Sequence, residues 1–385
     1  MTTRLNKTIV ACVLLLAGVG LLSLWAQAPP QELSGASITQ SVFLKQATFV
    51  AGAVALMGLT ALPHYQHFRR GSAFLYAVLC VALLALLVMG RRTRGALGWF
   101  ALGPINVQPA EFMKIAYVLT LARVLMYGRQ VQRLSGLALP LAVTAVPAAL
   151  ILLQPDLGTT LLFIPTLMAM LYTAGARKRH LAAIILVLAI AAPVGYLTVL
   201  KPYQKNRLVA FWFTDVPNYQ QDQSVMACAS GSFLGRDSTS SGVSMPIYVP
   251  DRHTDFVYSI VAEELGFVGS TFVLLLFAVY FTQSYRIAHQ SREPFGRLIA
   301  VGLTTLLATQ TLINLGMTLG VAPITGVTLP FVSYGGSSLL SCALAAGLVL
   351  NVAARWQPGF SSRDMAGGSV EINNFQPQAV KWLSF

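Results

Sequence analysis

Ten apolar stretches of about 18 residues or more recur along this chain, each long enough to cross roughly 30 Å of hydrocarbon as a helix. They lie near residues 8–26, 41–62, 72–90, 109–127, 135–153, 156–174, 181–200, 255–283, 298–318 and 336–354. Lipid offers backbone N–H and C=O groups no partner, so such a segment is confined to helix. The expected fold is therefore all-α: a polytopic membrane protein with about ten transmembrane helices and one large loop, residues 201–254, ahead of the eighth. Composition excludes the soluble alternative. Hydrophobic residues make up 55% of the chain and charged ones 10%, against about 25% charged in an ordinary soluble domain.

Short cytoplasmic loops retain Lys and Arg. With ten alternating spans, Arg4 and Lys7, Arg69 and Arg70, Arg129 and Arg133, Arg177 to Arg179, Arg286 to Arg297, and Arg355 with Arg363 fall on one side. Both termini are then expected in the cytoplasm. Residues 1–357 read as a single integral-membrane domain, and 358–385 as a loose cytoplasmic tail. The basic start and "AQA" at 26–28 resemble a cleavable signal, but the apolar run from Thr8 to Ala26 is longer than such signals carry, which favours a retained helix. Two outer loops break the charge rule: 91–108 holds Arg91, Arg92 and Arg94, and 201–254 holds Lys201, Lys205, Arg207, Arg236 and Arg252. Cations placed where insertion disfavours them point to an anionic ligand. Cys12, Cys80, Cys228 and Cys342 stand singly and the histidines are scattered, so no His/Cys metal site is expected.

Charge is costly near lipid and calls for a reason. In "QPAEFMK", Glu111 and Lys114 are three apart and share a helix face, either as an internal ion pair or as a ligand contact. In "QPDLGTT", local chemistry makes Asp156 the N-cap of the following helix. "VPDRHTDFVYSIVAEELGF", 249–267, holds Asp251, Asp255, Glu263 and Glu264 in a chain with only 13 acidic residues. Thr254 is the expected N-cap there, which places Asp255 in the first turn of the eighth span, where the helix dipole favours its ionised form. Pairing with Arg252 or His253 is the plainer account of Asp255, and an ionised carboxylate at the outer mouth of a helical bundle is the functional one. "KPYQKNRLVAFW", 201–212, interleaves cations and aromatics as an interfacial segment does. Residues 318–335 carry Pro323 and Pro330 with glycines between, a broken segment that sits at membrane depth only if protein surrounds it. Ser337, Ser341 and Ala345 then form a small-residue seam.

The order "QPAEFMK", "QPDLGTT", "YQKNR", "HTDFVYSIVAEELGFVG" and "PITGVTLPFVSYGGSS" resembles the SEDS (shape, elongation, division and sporulation) family, which includes FtsW, RodA and SpoVE, from Lys45 to Trp356. "PITG" and "QPDLGTT" place it nearer the RodA branch. The resemblance implies a peptidoglycan glycosyltransferase of the cytoplasmic (inner) membrane that polymerises lipid II, a disaccharide-peptide on undecaprenyl pyrophosphate, at the outer face during elongation and shape maintenance. It implies that Asp255 is the catalytic residue, and that Glu111, Lys114 and Asp156 line the active site. The implied partners are a class B penicillin-binding protein transpeptidase and other elongation-complex membrane proteins, not nucleic acid. The chain departs from the family in Lys45-Gln46, where relatives carry Arg-Gln, and in 231–250, which lacks the usual glycine-rich wording.

A sugar pyrophosphate already carries a stabilised anionic leaving group, so its transfer needs cations for phosphate and one general base. Asp255 is expected to take the acceptor hydroxyl proton, with inversion at the donor carbon. Lys114, Lys201, Lys205, Arg207 and Arg252 are expected to neutralise pyrophosphate, with Mg²⁺ or Mn²⁺ as an expected aid and no organic cofactor. Two alternatives use the same residues differently: a lipid II flippase, which needs a polar path through the bilayer, and a non-catalytic scaffold for the transpeptidase.

Overall fold

All ten expected spans are helices in the computed structural model, which describes residues 6–26, 36–89, 91–93, 96–102, 105–127, 129–198, 200–212, 219–235 and 252–355. The helices are α1 (Lys7–Ala26), α2 (Ala36–Ala61), α3 (Tyr65–Met89), α4 (Pro109–Leu125), α5 (Ala138–Leu153), α6 (Leu157–Thr173), α7 (Lys178–Thr198), α8 (Pro202–Trp212), α9 (Tyr219–Ser230), α10 (Val257–Gln290), α11 (Pro294–Thr318) and α12 (Gly336–Ala354). Eight of the described helices are long and apolar enough to cross a membrane. The other two expected spans, α4 and α6, have 17 residues each, about 26 Å of helix at 1.5 Å per residue. The expected tail at 358–385 lies outside the described residues, as do Arg94, Arg236 and Asp251.

The core is built around α4, α11 and α12. Tyr117 of α4, Leu303 of α11 and Leu348 of α12 are fully enclosed. By contrast, α7 buries only His180 and presents apolar side chains outward, as a helix facing lipid does. Ser337 and Ser341 of α12, expected to form a packing seam, instead turn to the α4 side and donate to Asn106 O at 3.2 Å and Glu111 Oε2 at 2.7 Å, while Gly347 lies on another face. A Cβ on Gly347 would come within 2.6 Å of Met57 O, so α12 lies directly against α2.

Three features differ from the sequence expectation. The described residues within 91–107, a stretch expected as loop, form a three-stranded antiparallel sheet of β1 (Arg91–Thr93), β2 (Ala96–Leu102) and β3 (Ile105–Val107). The expected large loop contains α8 and α9, and α9 packs on α10. The eighth span is broken at Gly266, whose φ of 61° and ψ of −160° no helix contains. Here the chain of 231–235 passes so close that a Cβ on Gly231 would lie 1.8 Å from Ala262 O. Phe267 N and Val268 N then donate to Ser232 O at 3.0 Å and Phe233 O at 3.2 Å. Glycine supplies both the positive φ and the close approach.

Candidate active site

A cleft of about 250 Å³ opens where the first turns of four helices meet the 319–335 segment. Gln108, Asp156, Phe256 and Gly335, the N-cap residues of α4, α6, α10 and α12, all line it. Gln108, Phe256 and Gly335 make no side-chain cap hydrogen bond. An uncapped helix start leaves backbone N–H groups and the positive end of the helix dipole facing the cavity, a setting that attracts anions.

Asp255 reaches this cleft from the turn before α10, two residues ahead of the helix rather than within its first turn. The cause is local. Asn314 Nδ2 donates to Asp255 O at 2.7 Å, which takes up the carbonyl that an earlier helix start would have used. The Asp255 side chain is half-buried and lies against Gly326, where a Cβ would stand 3.6 Å from Oδ2. Gly326 has a φ of 75°, a left-handed turn that carries the 319–335 segment over the carboxylate.

Glu111 and Lys114, on the α4 wall, form the ion pair the spacing allowed and also line the cleft. Lys114 Nζ donates to Glu111 Oε1 at 2.9 Å and to Gln310 Oε1 at 3.0 Å, while Ser341 Oγ donates to Glu111 Oε2 at 2.7 Å. Asp156 caps α6 as expected: Thr159 N donates to Oδ1 at 2.9 Å, and Thr159 Oγ1 to Oδ2 at 2.7 Å. Next to it, Gly158 permits contact with the opposite wall, since a Cβ there would lie 2.5 Å from Val327 Cγ2 and 2.6 Å from Thr325 O. Gly158→Ala is therefore expected to push the two walls apart, lowering the melting temperature and turnover together. Unchanged values for both in purified protein would show that this approach is dispensable.

Arg207 of α8 joins the lining, but three of the expected phosphate ligands do not. Lys201 is exposed outside it. Lys205 Nζ donates to Leu197 O at 3.0 Å and lies 5.6 Å from the centre of the Tyr196 ring. Arg252 Nη2 donates to the fully buried Glu263 at 2.7 Å, which gives that deep carboxylate its counter-charge. The cleft also gathers Trp99, Gln204, Gln220, Thr328, Tyr334 and Ser338, none of them singled out in the sequence. Glu111 is bonded to Lys114 and Ser341, Asp156 to Thr159, and among the described residues no group of three or more His, Cys, Asp or Glu converges.

Fold and site together define a multi-pass membrane protein with an anion-seeking cleft at one end of its helices. The chain belongs to the FtsW/RodA/SpoVE family, described as "Cell cycle protein", which matches residues 6–357. It is 31% identical over 368 residues, 90% of each chain, to the probable peptidoglycan glycosyltransferase FtsW of Bacillus subtilis. It is similar to the Thermus thermophilus rod shape determining protein RodA, with a TM-score of 0.70, 28% identity and coverage of 93% and 99% of the two chains. A chain solved in a peptidoglycan synthase complex, in which polymerization and crosslinking are coordinated, gives a TM-score of 0.77 at 31% identity, covering 91% of this chain and 98% of that one. The similarity thus extends to both the FtsW and the RodA branches.

Proposed function

We propose that this chain is a peptidoglycan glycosyltransferase that polymerises lipid II at the outer face of the cytoplasmic membrane, with Asp255 as general base. The observation that carries the reading is the convergence of four helix N-termini, Lys114 and Arg207 on a cleft that also holds a half-buried carboxylate. Helix starts and cations suit a diphosphate, and the carboxylate suits a sugar hydroxyl. Asp255 accepts the proton of the acceptor hydroxyl as that oxygen attacks the donor anomeric carbon. The bond from that carbon to the phosphate oxygen breaks, and undecaprenyl pyrophosphate leaves as an anion. Lys114 and Arg207, with the uncapped N–H groups, stabilise the charge that grows on the leaving group.

The outer-face assignment rests on the Lys/Arg pattern of the short loops: the helix starts that form the cleft lie opposite the connections that hold Arg69 and Arg70, Arg129 and Arg133, Arg177 to Arg179 and Arg286 to Arg297, and the cations of 91–108 and 201–254 are the exceptions on the cleft side. A class B penicillin-binding protein is the proposed partner, by analogy with the synthase complex that contains the similar chain. The test is polymerisation of lipid II by the purified chain in detergent or nanodiscs, with and without its partner. Glycan strands read on a gel are the expected product. Translocation of lipid II without any polymer would replace this reading by the flippase.

A further inference from the structure

Two polar side chains on α11, Gln310 and Asn314, stand one helical turn apart and are fully enclosed, yet neither touches the space where substrate would sit. Four residues apart on a helix, they share one face. Each bridges two parts of the cleft. Gln310 Oε1 accepts from Lys114 Nζ at 3.0 Å, while its Nε2 donates to Thr328 O at 3.0 Å. Asn314 Nδ2 donates to Asp255 O at 2.7 Å and to Val327 O at 2.6 Å. The two carbonyls fix the orientation of the Asn314 amide, since a flip would set its oxygen against both of them. Among the described residues Asn314 Oδ1 has no hydrogen-bond partner. A buried acceptor left unmet costs about 1–3 kcal/mol, so a side chain held in that state needs a reason.

We infer that Gln310 and Asn314 are positioning residues, Asn314 holding Asp255 and Gln310 holding Lys114 against the same 327–328 stretch of the opposite wall. The inference rests on the proposed glycosyl transfer. In it, the separation between base and phosphate-binding cation is set by one rigid helix face rather than by the loops that carry them. A base displaced by about 1 Å loses roughly 100-fold in rate while leaving substrate binding intact. A lysine that loses its Gln310 contact instead changes its grip on the diphosphate, which is made in the ground state as well as in the transition state.

The two residues should therefore separate kinetically. Asn314→Ala is expected to lower kcat for lipid II polymerisation about 30- to 100-fold with KM within about twofold of wild type, whereas Gln310→Ala raises KM about fivefold or more with a smaller change in kcat. Each value is normalised to folded protein, measured by thermal melting in detergent. Asn314→Ser, which keeps a polar group but cannot span two carbonyls, carries the same prediction if the alanine variant is too unstable to purify. Wild-type kcat in the Asn314 variants, or equal shifts of kcat and KM for both residues, would reduce this face to ordinary packing. In either case the polymerase reading stands, provided that the wild type makes glycan. A wild-type chain that makes no polymer overturns that reading and this inference with it.

Discussion

Asp255→Asn is expected to fold, to bind lipid II at near wild-type affinity, and to lose about 100- to 10,000-fold of its polymerising activity, the usual range for removal of a general base. The substitution keeps the shape and removes the proton acceptor. It leaves in place the Asn314 contact that positions residue 255, because that contact is made to the main-chain carbonyl rather than to the carboxylate. The Gly326 turn lies beside Oδ2 and asks nothing of its charge. Folding should thus be spared, and a melting temperature close to wild type accompanies the dead enzyme. Measured on purified protein with saturating lipid II, full activity in this variant would remove Asp255 from the chemistry and return it to the role of a charge at a helix entrance.

The ten helices were legible because lipid leaves an apolar run of this length only one way to satisfy its amides. The breaks in that pattern were less so. The sheet of 91–107 lies outside the spans, where no continuous hydrophobic run marks it. Gly266 sits inside a run that hydropathy reads as continuous, and its break depends on a chain segment some thirty residues earlier that packs against it. Local sequence carries no sign of that contact. The start of α10 was misplaced for a similar reason: Thr254 has the right chemistry for a cap, but the carbonyl of Asp255 is claimed by Asn314, nearly sixty residues further on.

Site residues were legible in proportion to how unusual charge is in this chain. Glu111, Lys114, Asp156, Arg207 and Asp255 stood out against an apolar background, and all five line the cleft. Charge alone could not say which cations were already engaged. Arg252 serves Glu263, two helical turns beyond the "TDF" motif, and Lys205 turns to a backbone carbonyl. Gln310 and Asn314 carry no charge to mark them, although two amides at helical spacing within "LLATQTLINLG" interrupt an otherwise apolar span. Polar residues four apart inside an apolar span were the signal that could have found them.

Lys114→Ala is expected to harm the protein twice over. It strands Glu111, whose side chain is 8% exposed, with Ser341 as its one remaining side-chain donor among the described residues. Removing one partner of a buried ion pair costs about 3–5 kcal/mol, because the remaining charge stays desolvated. It also removes positive charge from the cleft wall. The double variant Glu111→Gln with Lys114→Met separates the two effects. With no charge left to strand, it should recover most of the stability and melt within a few degrees of wild type, a non-additivity that marks the pair as coupled. Activity at limiting lipid II should not recover with it, since neither new side chain attracts a diphosphate. A double variant that regains both the melting temperature and the wild-type KM would confine Lys114 to holding Glu111 and leave Arg207 and the uncapped helix starts as the groups that meet the anion.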